Sequence, residues 1–525
     1  MNRPFHLIYL LIFMKTNHYV QNKAAGLIIK FLSCTHLPIL FCFALFQFHC
    51  SHHLQENDPN RNLNLLREQI TSLIGDPNLF NAQIGLYIES MSSGELIYQC
   101  NEHKLFIPAS NMKIFTTATA LLKFGPHFRF QTQIYTDGPI TQNKLKGNLV
   151  IRGKGDPTLA PRFNNGQVLY VFNNWVDSLR AHGIQEIDGD LIGDVSYFQG
   201  DPLGNGWQWD DEPYWYSAQI SALSLNDNCI DVAVVPNDSI GLPPLIQFTP
   251  STCYFSIENQ ARTGPADSVP SLILTRPRMQ NILIAKNEMP INKPVYKESI
   301  SVENPALFYI TVLSEVMAAK GIVIHGSLVI RDQADQASYD SCRLLFTHVS
   351  PELSEIIKVT NKISHNLYAE QLLLTLAAEY GQEATAAAGT QVVLRQMNEI
   401  GITEMEYIMV DGSGLSRGNL LTPNAVSTLL RYMAHHPYFT YFYESLPVTG
   451  IDGTLSNRMK NTFAEKKVHA KTGFVGHVRN LSGYVCSRDD EYFLFSMLVN
   501  NYSVPTSLIN LLQDQICNLL SNFQR

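Results

Sequence analysis

Between Pro126 and about Asp340 the chain breaks into short β-like runs separated by turns, with long helical patterns on either side. The runs include "GNLVIRG", "GDLIGDVSYF", "CIDVAVVP" and "SLILTRP", and one helix, "NPALFYITVLSEVMAAKG", sits near the end of the block. Upstream, "NLLREQITSLIG" places Leu65, Leu66, Ile70, Leu73 and Ile74 on one helical face. "AQIGLYIES" and "ELIYQ" then read as a hairpin around a Ser-Ser-Gly turn, with Ile84, Leu86 and Ile88 alternating. Downstream, "SHNLYAEQLLLTLAAEY" and "GTQVVLRQMNEIG" are helical, and "NLSGYVC" and "EYFLFSMLV" pair as strands around "SRDD". A final amphipathic helix carries Leu508, Leu511, Leu512, Ile516 and Leu519. Helices and strands at both ends of a β-rich block imply an α/β domain split by an insertion. A length of 525 residues, more than one compact core accommodates, agrees with that division.

A hydrophobic fraction of 45% and a charged fraction of 16% suit a folded protein rather than a disordered one. Net charge is −8, and no Lys/Arg block lies in the folded part, so nothing invites nucleic acid or an anionic membrane. The N-terminus differs. Two apolar runs, "FHLIYLLIFM" and "LPILFCFALFQF", flank Lys23 and Lys30, and each is shorter than a transmembrane helix. They read as a secretory export segment ahead of a polar linker. A buried N-terminal helix is the other reading, and an uncleaved segment would leave the protein associated with the membrane. Cys50 lacks the small residues that precede a lipoprotein cysteine. Of nine cysteines, Cys34, Cys42 and Cys50 fall in or beside that segment. The rest show no C-x-x-C or His/Cys spacing, which argues against zinc. In an exported chain some of them would pair, in a connectivity that sequence leaves open.

Three short motifs carry the chemistry. In "PASNMK", Ser110 and Lys113 stand three apart at a loop-to-helix junction. On a helix such residues share a face, with Cβ atoms about 5–6 Å apart. A serine hydroxyl needs a base to become a nucleophile, and a desolvated lysine can serve. The helix N-terminus adds N–H groups for a developing oxyanion. Read alone, the pair is better explained as an N-cap serine followed by a solvated lysine. In "KISHNLYAEQLL", Ser364 and Asn366 flank His365; Ser224-Leu225-Asn226 matches the same pattern, and a turn or cap explains either. In "VHAKTGFVGHVRN", Lys471, Thr472 and Gly473 end a β-like run. That strand edge would offer an ammonium, a hydroxyl and closely approachable backbone, or else an ordinary strand end.

In this order the three are the S-x-x-K, S-x-N and K-T-G set of penicillin-interacting serine enzymes. The sequence resembles the class C low-molecular-mass penicillin-binding proteins, the D-alanyl-D-alanine carboxypeptidase/endopeptidase family (peptidase family S13). The likeness runs from about Leu63 to the C-terminus. It includes "GNLVIRGKGDPTL", "GDVSYF", "GWQWDD", "SALSLNDN", "NLYAEQLL", "DGSGLSRGNLLTP", "IDGTL" and "NLSGYV".

The resemblance implies an α/β (α+β) serine DD-peptidase fold, an antiparallel sheet flanked by helices with β-rich domains inserted. Its expected divisions are an export segment (1–50), the peptidase domain in two parts (51–125 and 345–525) and inserted domains (126–344). A smaller domain would nest within the insertion at about 200–290. The implied substrates are peptidoglycan stem peptides ending in D-Ala-D-Ala, or D-amino-acid crosslinks, with β-lactams as mimics and no cofactor or metal. The implied location is the periplasm. By the same resemblance Ser110 is the nucleophile and Lys113 its base, Ser364 relays a proton, and Asn366 holds the acyl-side amide. Lys471 supplies positive potential, Thr472 binds the terminal carboxylate, and the N–H groups of Ser110 and Phe474 form the oxyanion hole. Asp156 and Arg417 would meet the ends of a diamino acid side chain, or else cap a turn and form an ion pair.

Two residues depart from the family pattern. His365 stands where Asp or Asn is usual, and Phe474 where Thr or Ser supplies a hydroxyl near the substrate carboxylate. A β-lactamase would share the acylation residues, but the long gap between Ser110 and Ser364 is wrong for that compact fold. A catalytically weak peptidoglycan-binding or scaffold protein is the other alternative; Phe474 leans toward it, and Ser110, Lys113 and Lys471 lean against it.

Overall fold

The computed structural model describes residues 60–333 and 339–525, so the expected export segment lies outside the described residues. Asn62–Arg525 form one compact unit. Its organising element is a five-stranded antiparallel sheet made from both ends of the chain. The strands are β1 (Gln83–Ser90), β2 (Leu96–Cys100), β3 (Val468–Val475), β4 (Val478–Cys486) and β5 (Tyr492–Asn500), in the order β2-β1-β5-β4-β3. β1 lies along β5 in continuous register from Gln83–Asn500 to Ser90–Phe493. The N-terminal hairpin is thereby stitched to the C-terminal meander. β3 is an edge strand.

The sheet is covered on both faces, so β5 is buried on both sides along nearly its whole length rather than alternating. Phe493, Phe495, Met497 and Val499 of β5 pack with helices α1 (Arg61–Ile74) and α8 (Thr506–Asn522). Leu494 and Tyr484 belong to the opposite core. The helices on that side are α2 (Met112–Phe124), α3 (Leu353–Lys362), α4 (Asn366–Tyr380), α5 (Ala386–Ile400), α6 (Pro423–Ala434) and α7 (Phe439–Ser445). α2 is buried along most of its length, from Met112 to Leu121. That explains an apolar helix whose first turn nonetheless carries a lysine.

Residues between α2 and α3 form a third core with sheets of their own. One has five strands in the order Leu328–Arg331, Leu191–Asp194, Leu149–Arg152, Gln131–Thr136, Arg343–Val349. Small sheets between Cys229 and Ser301 lie within this stretch. The strand Arg343–Val349 pairs with Gln131–Thr136 and so runs across the expected boundary at 344/345. The region also contains a helix that the sequence reading leaves out, Tyr170–Ala181, which buries Val171, Phe172, Trp175, Val176 and Leu179. That spacing is itself helical. No disulfide joins Cys100, Cys229, Cys253, Cys486 or Cys517.

Both terminal helices are rotated from the expected faces. α1 buries Leu63, Leu66 and Ile70 and leaves Leu65 51% exposed. α8 buries Ile509, Leu512, Ile516 and Leu520, with Leu508 and Leu511 exposed. In each helix adjacent leucines offer two overlapping stripes, and the sheet takes the one in which the true i, i+3, i+7 set is complete. The two leucines of α1 should therefore behave differently. Leu66→Ala should destabilise by about 2–5 kcal/mol, the range for a buried leucine. Leu65→Ala should stay within about 0.5 kcal/mol. Chemical denaturation of both variants checks the assignment.

Candidate active site

Ser110 sits in a single 3₁₀ turn, Ala109–Asn111, that runs directly into α2. The turn is held from the sheet. Asn480 of β4 donates to the carbonyls of Ile107 (2.9 Å) and Pro108 (2.7 Å), and Asn500 Oδ1 accepts from Ile107 N–H. Asn111 donates to the Lys471 carbonyl (2.9 Å) and accepts from Ser482 (2.8 Å), tying the turn to β3 and β4. Ala109 has φ +44°, unusual for a residue with a Cβ.

One turn later Lys113 is fully buried. Its Nζ has three partners: Ser110 Oγ at 2.9 Å, Asn366 Oδ1 at 2.6 Å and the Ser413 carbonyl at 2.7 Å. Burial pulls its pKa down to about 7, against the opposing pull of Asp411 and Glu370. These acids touch the backbone rather than the amine. Glu370 on α4 accepts the N–H groups of Gly412 (3.0 Å) and Ser413 (2.8 Å). Asp411 accepts those of Gly414 (2.7 Å) and Ser416 (2.6 Å), together with Asn419 and Trp207. They shape the loop so that the Ser413 carbonyl faces Lys113. Burial and the Asp411 charge push the Glu370 carboxyl up to about 8.

Ser364 lies between α3 and α4 with φ +63°. A non-glycine residue held in the left-handed region costs of order 1–3 kcal/mol, which the surroundings must supply. Lys471 on β3 is fully buried and donates to Ser364 Oγ at 2.8 Å. Burial first, then the nearby Lys113 and Arg479 charges, push its pKa well below the ordinary lysine value. Asn366 opens α4 and donates to the Tyr216 carbonyl (2.7 Å) while its Oδ1 accepts from Lys113. Thr472 pairs with Thr454 of the "IDGTL" stretch (2.8 Å). The three motifs thus converge. Ser224-Leu225-Asn226, the other S-x-N match, lies elsewhere, with Ser224 accepting from Gln371 on the buried side of α4.

Gly473 needs its missing side chain for a reason internal to the protein. A Cβ there would lie 2.6 Å from the Pro108 carbonyl, so glycine lets the Ser110 turn rest against β3. Phe474 is 56% exposed on the cleft rim, with the Arg479 guanidinium 5.6 Å from its ring centre.

Ser110, Ser364, Asn366, Thr472, Phe474 and Arg417 line one cleft of about 850 Å³. Asp156 does not. It is 2% exposed and caps a turn, accepting Thr158 N–H (2.8 Å) and Oγ1 (2.6 Å), with His348 3.7 Å away. The acid that the cleft does contain is Asp211, from the "GWQWDD" stretch of the inserted region, along with Gln208, Trp215 and Tyr216. Arg417 donates to the Gly476 carbonyl (2.9 Å) across the same cleft. Sequence reading missed Asp211, Thr454, Asn111 and Asn480. The first sits in a short turn without periodicity, Thr454 meets Thr472 only through the tertiary fold, and Asn111 and Asn480 act through backbone contacts that no spacing rule encodes.

Residues 66–522 match the D-Ala-D-Ala carboxypeptidase 3 (S13) family. The chain belongs to this family of serine D-Ala-D-Ala carboxypeptidases. It is 32% identical over 469 residues to the D-alanyl-D-alanine carboxypeptidase of Actinomadura sp. (strain R39), covering 87% of this chain and 85% of that one. It is 28% identical to the D-alanyl-D-alanine carboxypeptidase DacB of Haemophilus influenzae, over 80% of this chain and 86% of that one. The crystal structure of penicillin binding protein 4 (dacB) from Haemophilus influenzae has a TM-score of 0.75 and 25% identity. That alignment covers 86% of this chain and 99% of the solved one.

Because Gly473 lets the Ser110 turn rest against β3, Gly473→Ala should slow penicillin acylation by about 100-fold, the cost of roughly a 1 Å misplacement. A thermal melt run alongside should show a folded protein.

Proposed function

We propose that the cleft cleaves the terminal D-Ala-D-Ala bond of peptidoglycan stem peptides through an acyl-enzyme on Ser110. The observation that carries this reading is the partner set of Lys113. Two of its three neighbours, Asn366 Oδ1 and the Ser413 carbonyl, only accept hydrogen bonds. A neutral amine satisfies both with its two hydrogens, which leaves its lone pair for the Ser110 proton. The pKa near 7 makes that neutral form accessible.

In the forward step Ser110 Oγ attacks the penultimate D-Ala carbonyl while its proton passes to Lys113. The N–H groups of Ser110 and Phe474 stabilise the oxyanion. As the C–N bond breaks, a proton reaches the leaving D-Ala nitrogen by way of Ser364, and water then hydrolyses the ester. Lys471 supplies positive potential and Thr472 receives the terminal carboxylate. A β-lactam would acylate the same serine; its amide mimics the scissile bond. A diamino acid in the stem peptide would span Asp211 and Arg417, which offer opposite charges in the cleft. Crosslink cleavage uses the same chemistry with a longer leaving amine.

The substrate lies outside the cytoplasm, which accords with the export segment read at residues 1–50 and with a location in the periplasm. No helix among the described residues is long and apolar enough to cross a membrane; an uncleaved export segment is the membrane association this reading includes. The domain division at 51–125, 126–344 and 345–525 is part of the same reading; the separate sheets and cores support its two-part layout, with the second boundary moved past the strand Arg343–Val349, which pairs within the insertion's sheet.

Mass spectrometry with a fluorescent penicillin tests the assignment. One adduct should form on the peptide containing Ser110, and Ser110→Ala should abolish it while remaining folded. Label elsewhere, or label surviving in that variant, contradicts the nucleophile.

Phe474 generates a separate expectation. It lacks the hydroxyl that would assist Thr472 at a terminal carboxylate, while its backbone N–H is independent of the side chain. A hydrogen bond to a charged group is worth about 1.5–3 kcal/mol. Phe474→Thr should therefore raise pentapeptide turnover by roughly ten-fold or more, with a smaller change in penicillin acylation. A fall in turnover by the folded variant would make the ring a positive part of the site.

A further inference from the structure

His365 is the member of the S-x-N segment that the chemistry above leaves unused. Ser364 and Asn366 line the catalytic cleft, whereas the His365 side chain is 2% exposed and faces the inserted region. Its Nε2 lies 3.2 Å from Oδ2 of Asp227. Its Nδ1 is buried with no hydrogen-bond partner among the described residues. The Asp227 contact is thus the ring's one polar tether among them. Trp215 and Tyr368 pack against it, with ring centres at 5.6 and 4.3 Å.

Asp227 is held in turn. Arg162 donates to both of its carboxylate oxygens, at 2.6 and 2.7 Å, and to the Tyr368 hydroxyl at 2.8 Å. Burial raises the Asp227 carboxyl pKa, but His365 and Arg162 outweigh it and hold the group well below the usual carboxylate range. Asn226, Asp227 and Asn228 have φ of +49°, +58° and +55°, three successive residues in a conformation that side chains disfavour. The loop therefore presents Asp227 at a set angle. The same loop meets α4 again, since Gln371 donates to Ser224 Oγ (2.6 Å) and the Ser221 carbonyl (3.3 Å). His365, Tyr368 and Gln371 recur every third residue and turn one side of α4 to the insertion.

We infer that His365 is a positioning residue for the reaction. Through Asp227 it clamps the S-x-N turn to the inserted region, so that Ser364 and Asn366 stay at the distances acyl transfer requires. This inference rests on the roles proposed above for Ser364 and Asn366. Ser364 occupies left-handed backbone that relaxes unless something restrains it, and the adjacent side chain, pointing the other way, is anchored to a different part of the fold. The insertion thereby contributes to the chemistry without supplying a reacting atom.

Stopped-flow acylation by a fluorescent penicillin separates the encounter dissociation constant from the acylation rate constant, and a thermal melt reports folding. His365→Phe keeps a ring of similar size and removes the N–H. It should lower the acylation rate constant about 10- to 100-fold with little change in the encounter constant. His365→Gln, which can aim an amide N–H at Asp227, should recover most of the rate. Asp227→Asn should slow acylation, and the double variant with His365→Phe should be no slower than the slower single, as expected for one shared interaction. Ser364→Ala is the control. If it acylates at the wild-type rate, the proton-relay reading fails and this inference with it. If Ser364→Ala is slow but folded His365→Phe acylates like wild type, the inference alone is overturned. It is also overturned if His365→Gln loses rate in step with His365→Phe, or if rate and melting temperature fall together. Should His365→Phe fail to fold, His365→Gln and Asp227→Asn decide by the same criteria.

Discussion

Two lysine amines, Lys113 and Lys471, are buried in one small region, and that constraint shapes everything around them. Removing an ammonium from water costs far more than a protein's net stability unless it is matched by partners or loses its proton. Here the two demands are met differently. Lys113 faces two fixed acceptors and a hydroxyl, while Lys471 faces Ser364 and its neighbour's carbonyl. Asp411 supplies negative potential from behind a loop whose backbone it holds together with Glu370. The low pKa of Lys113 follows from its burial, which outweighs the upward pull of the neighbouring acids. The left-handed Ser364 brings its hydroxyl within hydrogen-bond reach of Lys471.

The inserted region is bound by the same constraint. It supplies Asp211 and Tyr216 to the cleft and the Tyr216 carbonyl to Asn366. It also fastens α4 through Arg162, Asp227 and Ser224. The cleft is therefore walled by segments far apart in sequence, and its dimensions depend on how the sheet and the insertion pack on α4.

The motif residues that meet in the cleft were legible in the sequence as a set, through the family resemblance that their order carries. Read one at a time, S-x-x-K, S-x-N and K-T-G fit a helix cap, a turn and a strand end. Asp156 was left open between a ligand contact and a turn cap because a Gly-Asp-Pro-Thr stretch carries the same letters in both cases, and burial selects the cap. Asp211 went unseen in a 3₁₀ turn that has no periodic signature. The terminal helices were recognised but turned by one position, since neighbouring leucines permit two stripes and only the opposing sheet selects one. Asn111 and Asn480 hold the Ser110 turn through main-chain carbonyls, and a partner of that kind leaves no mark on spacing.

The central claim is that burial makes Lys113 a base near neutral pH, and the direct measurement is the titration of that amine. In the free enzyme, NMR of selectively labelled lysine should show Lys113 losing its proton at about pH 7. The penicillin acylation rate should rise through the same pH as the neutral fraction grows. An amine that stays charged to pH 9 or above, in an enzyme acylating at full rate at pH 7, would contradict the account.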